Sequence, residues 1–339
     1  MKNILLVGGT GLQGQLTQQL LQERQTSAKI FISSRKEGSA TILIDVTQPH
    51  TFQNILTVPI DLVVMCTVDP KNELLQFCIE HGLDYLDITK TSTAIAAAQK
   101  VALSQKLNSK IVLASSWMGS VVPGLIQDAV TWSDIEAVEL LIYYSMRDKA
   151  GASAADFMAQ NAAQKFPIYS QGKTKYVRHF EGGIKHQFAF SKSDLTLYHF
   201  DAPDNYVLHH VKQIPTVSSA ITYGDNLSGL LLNLMQKLHV FDILPMSIRK
   251  KLFYANGTGD KTAFDIQIKS KTGKSIKISL INEKGQANLT AFSTVMHIEK
   301  LISDKELLPG VYFGHQLYSK GAFSTALSQN ENISINVDQ

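Results

Sequence analysis

Residues 2–14 read KNILLVGGTGLQG, an apolar run followed at once by a turn rich in glycine. Apolar residues at helical spacing continue this stretch over Leu16–Leu21. A strand, a glycine-rich turn and an amphipathic helix in this order are typical of the phosphate-binding start of a dinucleotide-binding fold. The stretch therefore predicts an α/β domain whose first strand carries a cofactor loop.

The glycines of this turn fit the spacing G-x-G-x-x-G at Gly9, Gly11 and Gly14. We expect Gly9 to allow the tight turn, Gly11 to let the backbone approach a pyrophosphate, and Gly14 to let helix pack on strand. The helix start offers N–H groups and a positive dipole end to the phosphates. The alternative is a glycine-rich turn without a ligand. The predicted pyrophosphate loop consists of Gly9, Thr10, Gly11, Leu12, Gln13 and Gly14.

The end of the second predicted strand decides which dinucleotide is favoured. The strand Lys29–Ser33 is followed by Ser34, Arg35 and Lys36. Arg35 lies 35 − 14 = 21 residues after Gly14, where NAD enzymes carry an acidic residue for the ribose 2′-hydroxyl. No acid stands beside Arg35, and a guanidinium binds a 2′-phosphate in a bidentate way. NADP is therefore favoured over NAD, the alternative being an exposed arginine on a charged turn.

Two further strand ends complete the predicted cofactor site. Asp45 and Val46 follow the predicted strand Thr41–Ile44, where Rossmann proteins commonly flank the adenine. Asp45 either binds the adenine amino group or caps the next turn. The apolar run Leu62–Cys66 predicts a buried parallel strand, and ligands bind at the carboxyl ends of such strands. The residues expected there are Cys66, Thr67 and Val68.

Six predicted strands alternate with helices up to residue 114, which indicates a doubly wound α/β fold of Rossmann type. After Gly119 the pattern changes. A strand over Ile135–Ser145, short strands over Pro167–Tyr198 and a hairpin over Phe264–Leu280 predict an α+β domain with an antiparallel sheet. Asn226–Leu244 reads as one apolar helix, which would either pair with a copy of itself or lie inside the fold.

Composition and charge exclude several classes of protein. The 339 residues suffice for two domains, and the net charge is only +3. With no basic run longer than Arg249–Lys251, which fits a solvated helix end, we expect no nucleic-acid partner. No apolar stretch reaches the ~18 residues of a membrane helix, so we also expect no membrane partner.

Cysteine and histidine usage indicates the compartment and excludes a metal site. Cys66 and Cys78 are the two cysteines, and both lie in apolar segments. This usage fits a reducing, cytoplasmic location without a disulfide framework. The sequence has no His-Glu-x-x-His or Cys-x-x-Cys spacing, so no metal is predicted.

The order of several motifs resembles the saccharopine dehydrogenase-like family of NAD(P) oxidoreductases. These motifs are GGTGLQG, DLVVMCTVDP, HGLDYLDIT, SSWMGSVVPGL, HHVKQIPTVSSAITYG and LPGVYFGHQLYSKGAFSTAL. The loop after Cys66 is similar to one that faces the nicotinamide, and Leu308–Leu327 is similar to the family's returning C-terminal helix. The resemblance implies an NADP-binding Rossmann domain of residues 1–118 plus 303–339. An inserted α+β substrate and dimerisation domain would cover 119–302, with the active site in the cleft, and we expect a homodimer.

Two positions depart from the family pattern. Saccharopine reductases proper carry a lysine on the helix before the fifth strand and an aspartate just before the Pro-Gly. Gln76 and Val122 stand at these positions here, and neither transfers a proton at neutral pH. We therefore expect a substrate other than saccharopine.

The catalytic candidates are Asp87 and Thr89, which follow the fifth strand and face the expected cleft. Asp87 would orient an amine or polarise a neighbour, or it would cap the next helix. Lys90 would bind a substrate carboxylate, although base rates favour an exposed lysine. Trp117 and Met118 would wall the nicotinamide or belong to the core.

The second domain holds further candidates. Tyr169 and Lys173 match the Tyr-x-x-x-Lys pair of short-chain dehydrogenases, but Pro167 and Gly172 favour a hairpin, which lacks the shared helix face that this pair needs. In a strand only one residue of neighbouring histidines points inward. Other side chains that would line a pocket are Tyr143, Tyr144, Arg147 and one of His209 and His210.

The leading functional prediction is an NADP-dependent oxidoreductase that transfers a hydride on a small amino-acid-like imine or carbonyl substrate. Such an enzyme would act on CH–NH or CH–OH donors. The alternative is a non-catalytic NADP-binding regulator that keeps the glycine loop but lacks the family's lysine and aspartate. A small molecule is the expected partner of the enzyme.

Overall fold

The computed structural model describes residues 1–36, 38, 42–149, 151–254 and 257–338. The chain divides into two compact units. Unit 1 is formed by Met1–Gly124 and Ala287–Ser319, and unit 2 by Leu125–Gln286 and Lys320–Gln339.

The first third of the chain alternates between strands and helices. This alternation places successive parallel strands in one sheet. A 3₁₀ helix over Pro49–Thr57 replaces one α-helix. The elements are β1 (Lys2–Val7), α1 (Leu12–Glu23), β2 (Ala28–Ser34), β3 (Ile42–Leu43), β4 (Leu62–Met65), α2 (Glu73–Glu80), β5 (Asp84–Asp87), α3 (Ser92–Leu103), β6 (Lys110–Leu113) and α4 (Trp117–Ala129).

The remainder of the chain contains most of the antiparallel strands. Short helical turns cover Trp132–Asp134, Val207–Val211 and Gly314–Leu317. The other elements are β7 (Ile135–Tyr144), α5 (Ala152–Asn161), β8 (Lys165–Ser170), β9 (Lys173–Arg178), β10 (Ile184–His186), β11 (Leu195–His199), α6 (Asp204–Tyr206), β12 (Thr216–Thr222), α7 (Asn226–Lys237), α8 (Val240–Ile243), α9 (Met246–Phe253), β13 (Thr262–Ser270), β14 (Ser275–Asn282), α10 (Gly285–Ser303), β15 (Gly310–Phe313), α11 (Ala322–Leu327) and β16 (Ile333–Asp338).

Unit 1 is built on a seven-stranded parallel sheet in the order β15-β6-β5-β4-β1-β2-β3. The strand order reverses between β1 and β4, which is the switch point where doubly wound sheets bind ligands. Strand β4 is buried along its whole length because both faces of the sheet are covered. One core cluster packs Leu6, Val64 and Val112 from the strands against Val295 and Ile298 from α10.

Unit 2 contains a nine-stranded mixed sheet whose main path is β10-β11-β12-β7-β13-β14-β16. Strand β8 pairs with β12 and also with β9. Most pairs are antiparallel, as predicted, and the parallel pair of β7 and β12 makes the sheet mixed. The predicted hairpin is β13–β14, and Gly273 adopts a φ of +87° in its turn.

The structure corrects the course of the chain from α10 onward. The segment predicted as a returning helix, Leu308–Leu327, starts with strand β15, which pairs in parallel with β6 as the seventh strand of unit 1. Strand β16 pairs with β14, so the tail beyond Ser319 lies in unit 2 rather than in the Rossmann unit. Helix α10, expected in the inserted domain, belongs largely to unit 1.

Among the described residues, no helix combines the length and the apolarity that a membrane crossing requires. The helix predicted over Asn226–Leu244 is broken into α7 and α8 at His239, whose φ is +56°. The predicted strand Thr41–Ile44 is observed as β3, and Thr41 itself lies outside the described residues.

Candidate functional site

The turn after β1 is shaped by Gly8 as much as by the motif glycines. Gly8 has a φ of +82°, and the N–H of Gly11 donates to its carbonyl oxygen at 3.0 Å. A Cβ atom at Gly8 would also lie 2.9 Å from Cβ of Thr67. The left-handed conformation therefore belongs to Gly8, and the tight turn that the motif assigned to Gly9 begins one residue earlier.

The three motif glycines differ in what surrounds them. A Cβ at Gly9 would lie 2.7 Å from Cβ of Ile32, and a Cβ at Gly14 would lie 2.5 Å from Cα of Gly9. Both glycines are thus needed for close packing of the turn, α1 and β2. At Gly11, by contrast, the sole described atom within 4 Å of such a Cβ would be the Gly8 carbonyl oxygen, at 3.3 Å. The space beside Gly11 is open to a ligand.

The first turn of α1 carries hydrogen-bond donors that the helix does not use. Helix α1 starts at Leu12, and its N-cap Gly11 provides no side-chain acceptor. The first N–H groups of a helix have no intrahelical partner, and the helix dipole makes this end favourable for anions. The Nε2 of Gln13 is also buried and finds no hydrogen-bond partner within the described part of the chain. A phosphate group would satisfy these donors, so the residues present fit a dinucleotide pyrophosphate.

The predicted ribose and adenine contacts lie after β2 and β3. Arg35 and Lys36 are exposed directly after Ser34. The carboxylate of Asp45 accepts hydrogen bonds from the backbone N and Oγ1 of Thr47, at 2.9 and 2.7 Å. These bonds are the main reason that the pKa of Asp45 is lowered, and the charge of Arg35 contributes further. Asp45 thus caps its own turn, and its contact with adenine stays a prediction, as does a contact by Val46.

The loop after β4 adjoins the glycine turn across the switch point. Thr67 touches Gly8, and the Oγ1 of Thr89 donates to the carbonyl oxygen of Thr67 at 3.4 Å. Val68 presents an exposed apolar side chain beside them. Burial raises the pKa of the Cys66 thiol to about 12, which keeps this thiol protonated and unreactive.

A buried polar cluster lies at the carboxyl end of β5. Asp87 is fully buried, and its Oδ2 accepts from the hydroxyl of Tyr85 at 2.7 Å and pairs with Nζ of Lys90 at 3.0 Å. Its Oδ1 accepts from the N–H and Oγ1 of Thr89, at 2.7 and 2.8 Å. These contacts occupy the acceptor sites of a carboxylate. Asp87 therefore holds neighbouring groups in place, and a catalytic role for Asp87 or Thr89 stays a prediction.

Lys90 is buried, so the expectation that it is exposed was wrong. Besides Asp87, its Nζ contacts the carbonyl oxygen of Asp69 at 3.3 Å. The carboxylate of Asp69 in turn accepts from the N–H groups of Glu73, Leu74 and Leu75 at the start of α2. Lys90 thus ties the loop after β4 to the end of β5, a role that neither spacing nor charge in the sequence indicated.

The turn after β6 is strained and held by α10. Met118, Gly119 and Ser120 have φ values of 54°, 71° and 67°. Ser293 donates to the carbonyl oxygen of Met118, and Nε2 of His297 donates to that of Gly119 at 2.7 Å. Consecutive left-handed residues cost free energy and concentrate at functional sites. Sequence reasoning missed this turn, for which Gly119 is the local signal.

His297 is neutral and oriented by two partners. Because its Nε2 donates to Gly119, its Nδ1 accepts from the hydroxyl of Tyr318 at 3.2 Å. Burial lowers the pKa of His297 to about 4. Nearby, Trp117 and Met118 are buried as core residues, and the hydroxyls of Ser116 and Ser120 are buried without a partner among the residues described.

The candidates of unit 2 form no acid–base pair of the short-chain type. Tyr169 lies on β8 and Lys173 on β9, on either side of a hairpin turn. Burial raises the pKa of Tyr169 to about 12, whereas that pair requires a lowered tyrosine pKa. His209 and His210 lie in the helical turn Val207–Val211, so the predicted strand alternation was wrong. His210 Nε2 lies 3.0 Å from the Tyr169 hydroxyl.

Two side chains at positions where the family carries ionisable residues are inert here. Gln76 is exposed on α2, and Val122 is buried in α4.

Tyr143 and Tyr144 lie on β7, where burial raises the pKa of both. Within the described ranges, no group of three or more His, Cys, Asp or Glu side chains could hold a metal ion.

Comparison with solved structures shows the fold. The chain is similar to apo saccharopine dehydrogenase (L-Glu forming) from Saccharomyces cerevisiae, with a TM-score of 0.64, 10% identity and full coverage of both chains. It also matches a meso-diaminopimelate dehydrogenase variant from Clostridium tetani, with a TM-score of 0.46, 10% identity and 97% of each chain covered. Dihydrodipicolinate reductase from Paenisporosarcina matches with a TM-score of 0.42, 11% identity, and 94% and 100% of the chains covered.

No protein-family profile matches the sequence, and no curated protein matches it significantly. The likeness to the yeast enzyme shows the fold, and the other two similarities are too weak to add to this conclusion. This likeness confirms, at the level of fold, the resemblance read from the motif order, and it confirms the α/β class with a Rossmann-type sheet and a second sheet.

Proposed function

We propose that this protein binds NADP through unit 1 and transfers a hydride between the nicotinamide and a small amino-acid-like imine or carbonyl. The carrying observation is the glycine turn at the switch point. There, within the described residues, no side chain caps the start of α1 and the buried Nε2 of Gln13 has no acceptor. The full-length likeness to a saccharopine dehydrogenase supports the reaction class.

The preference for NADP rests on the residues after β2. Arg35 and Lys36 are exposed cations, and a 2′-phosphate would receive charge-assisted hydrogen bonds from them. The nearby carboxylate, Asp45, is engaged by Thr47 and is therefore a poor partner for a ribose 2′-hydroxyl. Bound NADP would supply the hydride chemistry, while Val68 would offer an apolar contact to the nicotinamide and Thr89 a hydroxyl.

Titration of the full chain with NADPH and NADH, followed by nicotinamide fluorescence, tests this proposal. Arg35→Asp should weaken NADPH binding by about ten- to a hundredfold, because a charge-assisted hydrogen bond contributes ~1.5–3 kcal/mol. Binding of NADH should change much less. The matched control is Lys106→Asp, the same charge reversal at an exposed lysine before β6, which lies on the other side of the switch point from β2.

Tighter binding of NADH than of NADPH by the unaltered protein would overturn the assignment of Arg35. If neither NADPH nor NADH binds, the cofactor proposal is overturned altogether. Turnover is then tested with a panel of keto acids, with ammonium or primary amines, in the presence of NADPH.

A second candidate is the non-catalytic NADP-binding regulator. It is supported by the proton-inert Gln76 and Val122 and by the closed surroundings of Asp87. NADPH binding without turnover across the panel would favour it. Both proposals include a homodimer in the cytoplasm. Light scattering of the full chain measures the molar mass and thereby tests the dimer.

A further inference from the structure

Helix α7 turns a stripe of leucines outward. The side chains concerned are between 50 and 76% exposed. Their spacing of i, i+3, i+4, i+7 and i+11 places them on one side of a helix. They are Leu227, Leu230, Leu231, Leu234 and Leu238.

The inner side of the same helix is largely polar or small. Gly229, Asn233 and Gln236 are buried beside Leu232. The amide of Asn233 donates to the carbonyl oxygen of Phe180, and both amide atoms of Gln236 are buried without a partner among the described residues. A surface helix normally buries its apolar stripe, whereas α7 exposes it. Packing within unit 2 therefore does not account for the leucines.

Further exposed apolar side chains follow α7 in the next two helices. Ile243 ends α8, Met246, Ile248 and Leu252 lie on α9, and Tyr254 follows it, all exposed. We call residues 226–254 the leucine surface. Monomeric soluble proteins seldom expose so many apolar side chains together without a function for them.

The leucine surface also carries the net charge of the chain. It contains Lys237 and Arg249–Lys251 against one acid, Asp242, which gives +4 − 1 = +3. The whole chain has 32 basic and 29 acidic residues, also +3, so the remaining 28 and 28 cancel. Asp242 pairs with Arg178 from outside the segment, and Lys250 pairs with Asp156 on α5. The half-buried Arg249 donates to the carbonyl oxygens of Leu244 and Ala159, whereas Lys237 and Lys251 are exposed.

We propose that the leucine surface docks on a membrane of anionic phospholipids. Exposed leucines beside exposed lysines, here Lys237 and Lys251, are a combination that binds the boundary of headgroups and acyl chains, with cations at the lipid phosphates. A second copy is disfavoured because a twofold contact would bring two surfaces of charge +3 together. The composition predicted no membrane partner since no apolar run could span, but an interfacial surface needs no such run.

Co-sedimentation of the full chain with vesicles tests this proposal. The vesicles are phosphatidylcholine alone and its equimolar mixture with phosphatidylglycerol. The protein should bind the mixture and dissociate at high salt. The triple variant Leu230→Gln, Leu231→Gln and Leu234→Gln should lower the partition coefficient by roughly tenfold or more, because apolar burial is lost. Lys237→Gln with Lys251→Gln should weaken binding to the anionic vesicles alone.

A matched control is Leu103→Gln with Leu308→Gln, two leucines of unit 1 that are 65 and 72% exposed, which should leave vesicle binding unchanged. Circular dichroism verifies folding of every variant. The proposal is overturned if the unaltered protein binds neither vesicle, or if the triple variant binds as well as it does. It is also overturned if the triple variant dissociates a dimer in light scattering while vesicle binding is absent, which would identify a second copy as the partner.

Discussion

At two strand ends of the same parallel sheet, the polar groups differ in whether they have hydrogen-bond partners. After β1, in the part of the chain that the structure describes, no side chain caps the start of α1 and the buried Nε2 of Gln13 has no acceptor. After β5, Asp87 receives four contacts and Lys90 reaches two oxygens. Buried polar groups cost free energy unless they are paired. The open end, after β1, is therefore where we propose that a ligand supplies acceptors, whereas the paired groups of the closed end, after β5, support the loops beside it.

The closed end depends on an ion pair in an apolar environment. Two buried charges are tolerated when each has its partner and further hydrogen bonds, but one charge left alone is strongly destabilising. Asp87 and Lys90 meet this condition through Tyr85, Thr89 and Asp69. The open end has no buried ion pair of this kind, so substitutions at the two ends should change the stability of the protein by different amounts.

The largest effect is expected from Lys90→Met, which leaves the Asp87 carboxylate buried and unpaired. The free energy of unfolding should fall by about 3–5 kcal/mol. Denaturation with urea measures it. Lys2→Met is the control, since the ion pair of Lys2 with Asp61 is largely exposed and should contribute less than ~1 kcal/mol. Equal losses in the two variants would contradict the closed-end interpretation.

A pH effect of similar or smaller size is expected from His297. Its pKa of about 4 in the folded state lies below the ordinary value of 6.5, so the unfolded chain binds more protons between these values. Stability should therefore fall as the pH drops from about 6.5 to 4, by roughly 2–4 kcal/mol from this residue. Urea unfolding at several pH values measures the slope, and His297→Gln, whose amide can still donate to Gly119, should flatten it. An unchanged slope in that variant would show that His297 is not the titrating group.

The open end is tested by two glycine substitutions of the same size. Gly14→Ala places Cβ against the backbone of Gly9 and should lower stability by ~1–3 kcal/mol. Gly11→Ala has an allowed φ of −79° and open space, so stability should change by less than ~0.5 kcal/mol. NADPH titration should nevertheless show weaker binding by Gly11→Ala. Unchanged NADPH affinity in that variant would show that the phosphates do not bind beside Gly11.

The close packing at Gly14 could be predicted because it follows from chain neighbours. A strand, a turn and a helix within 23 residues define which backbone must approach which, so spacing carries the information. The role of Lys90 could not be predicted in this way. Its burial depends on Asp69 and Asp87, which the pairing of β4 with β5 brings together. Because lysines are usually exposed, Lys90 was expected at the surface, and this expectation was wrong.

Long-range pairing also decided the parts of the fold that the motif order described incompletely. Strand β15 joins β6 across almost 200 residues of chain, and β16 joins β14 rather than unit 1. A four-residue strand such as β15 has too short a pattern to be distinguished from a helix start. Its identity depends on the free edge of β6, which sequence alone does not display.

By itself the sequence determined the α/β class, the glycine-rich turn after β1 and the position of Arg35 after β2, because these depend on local periodicity and on residue types at short spacing. Only the tertiary structure decided that Gly8 makes the turn, that Lys90 is buried and that α7 exposes its leucines. Burial is a property of partners that are distant in sequence. An apolar stripe has the same pattern whether it faces a core or the outside, and only packing shows which side is covered.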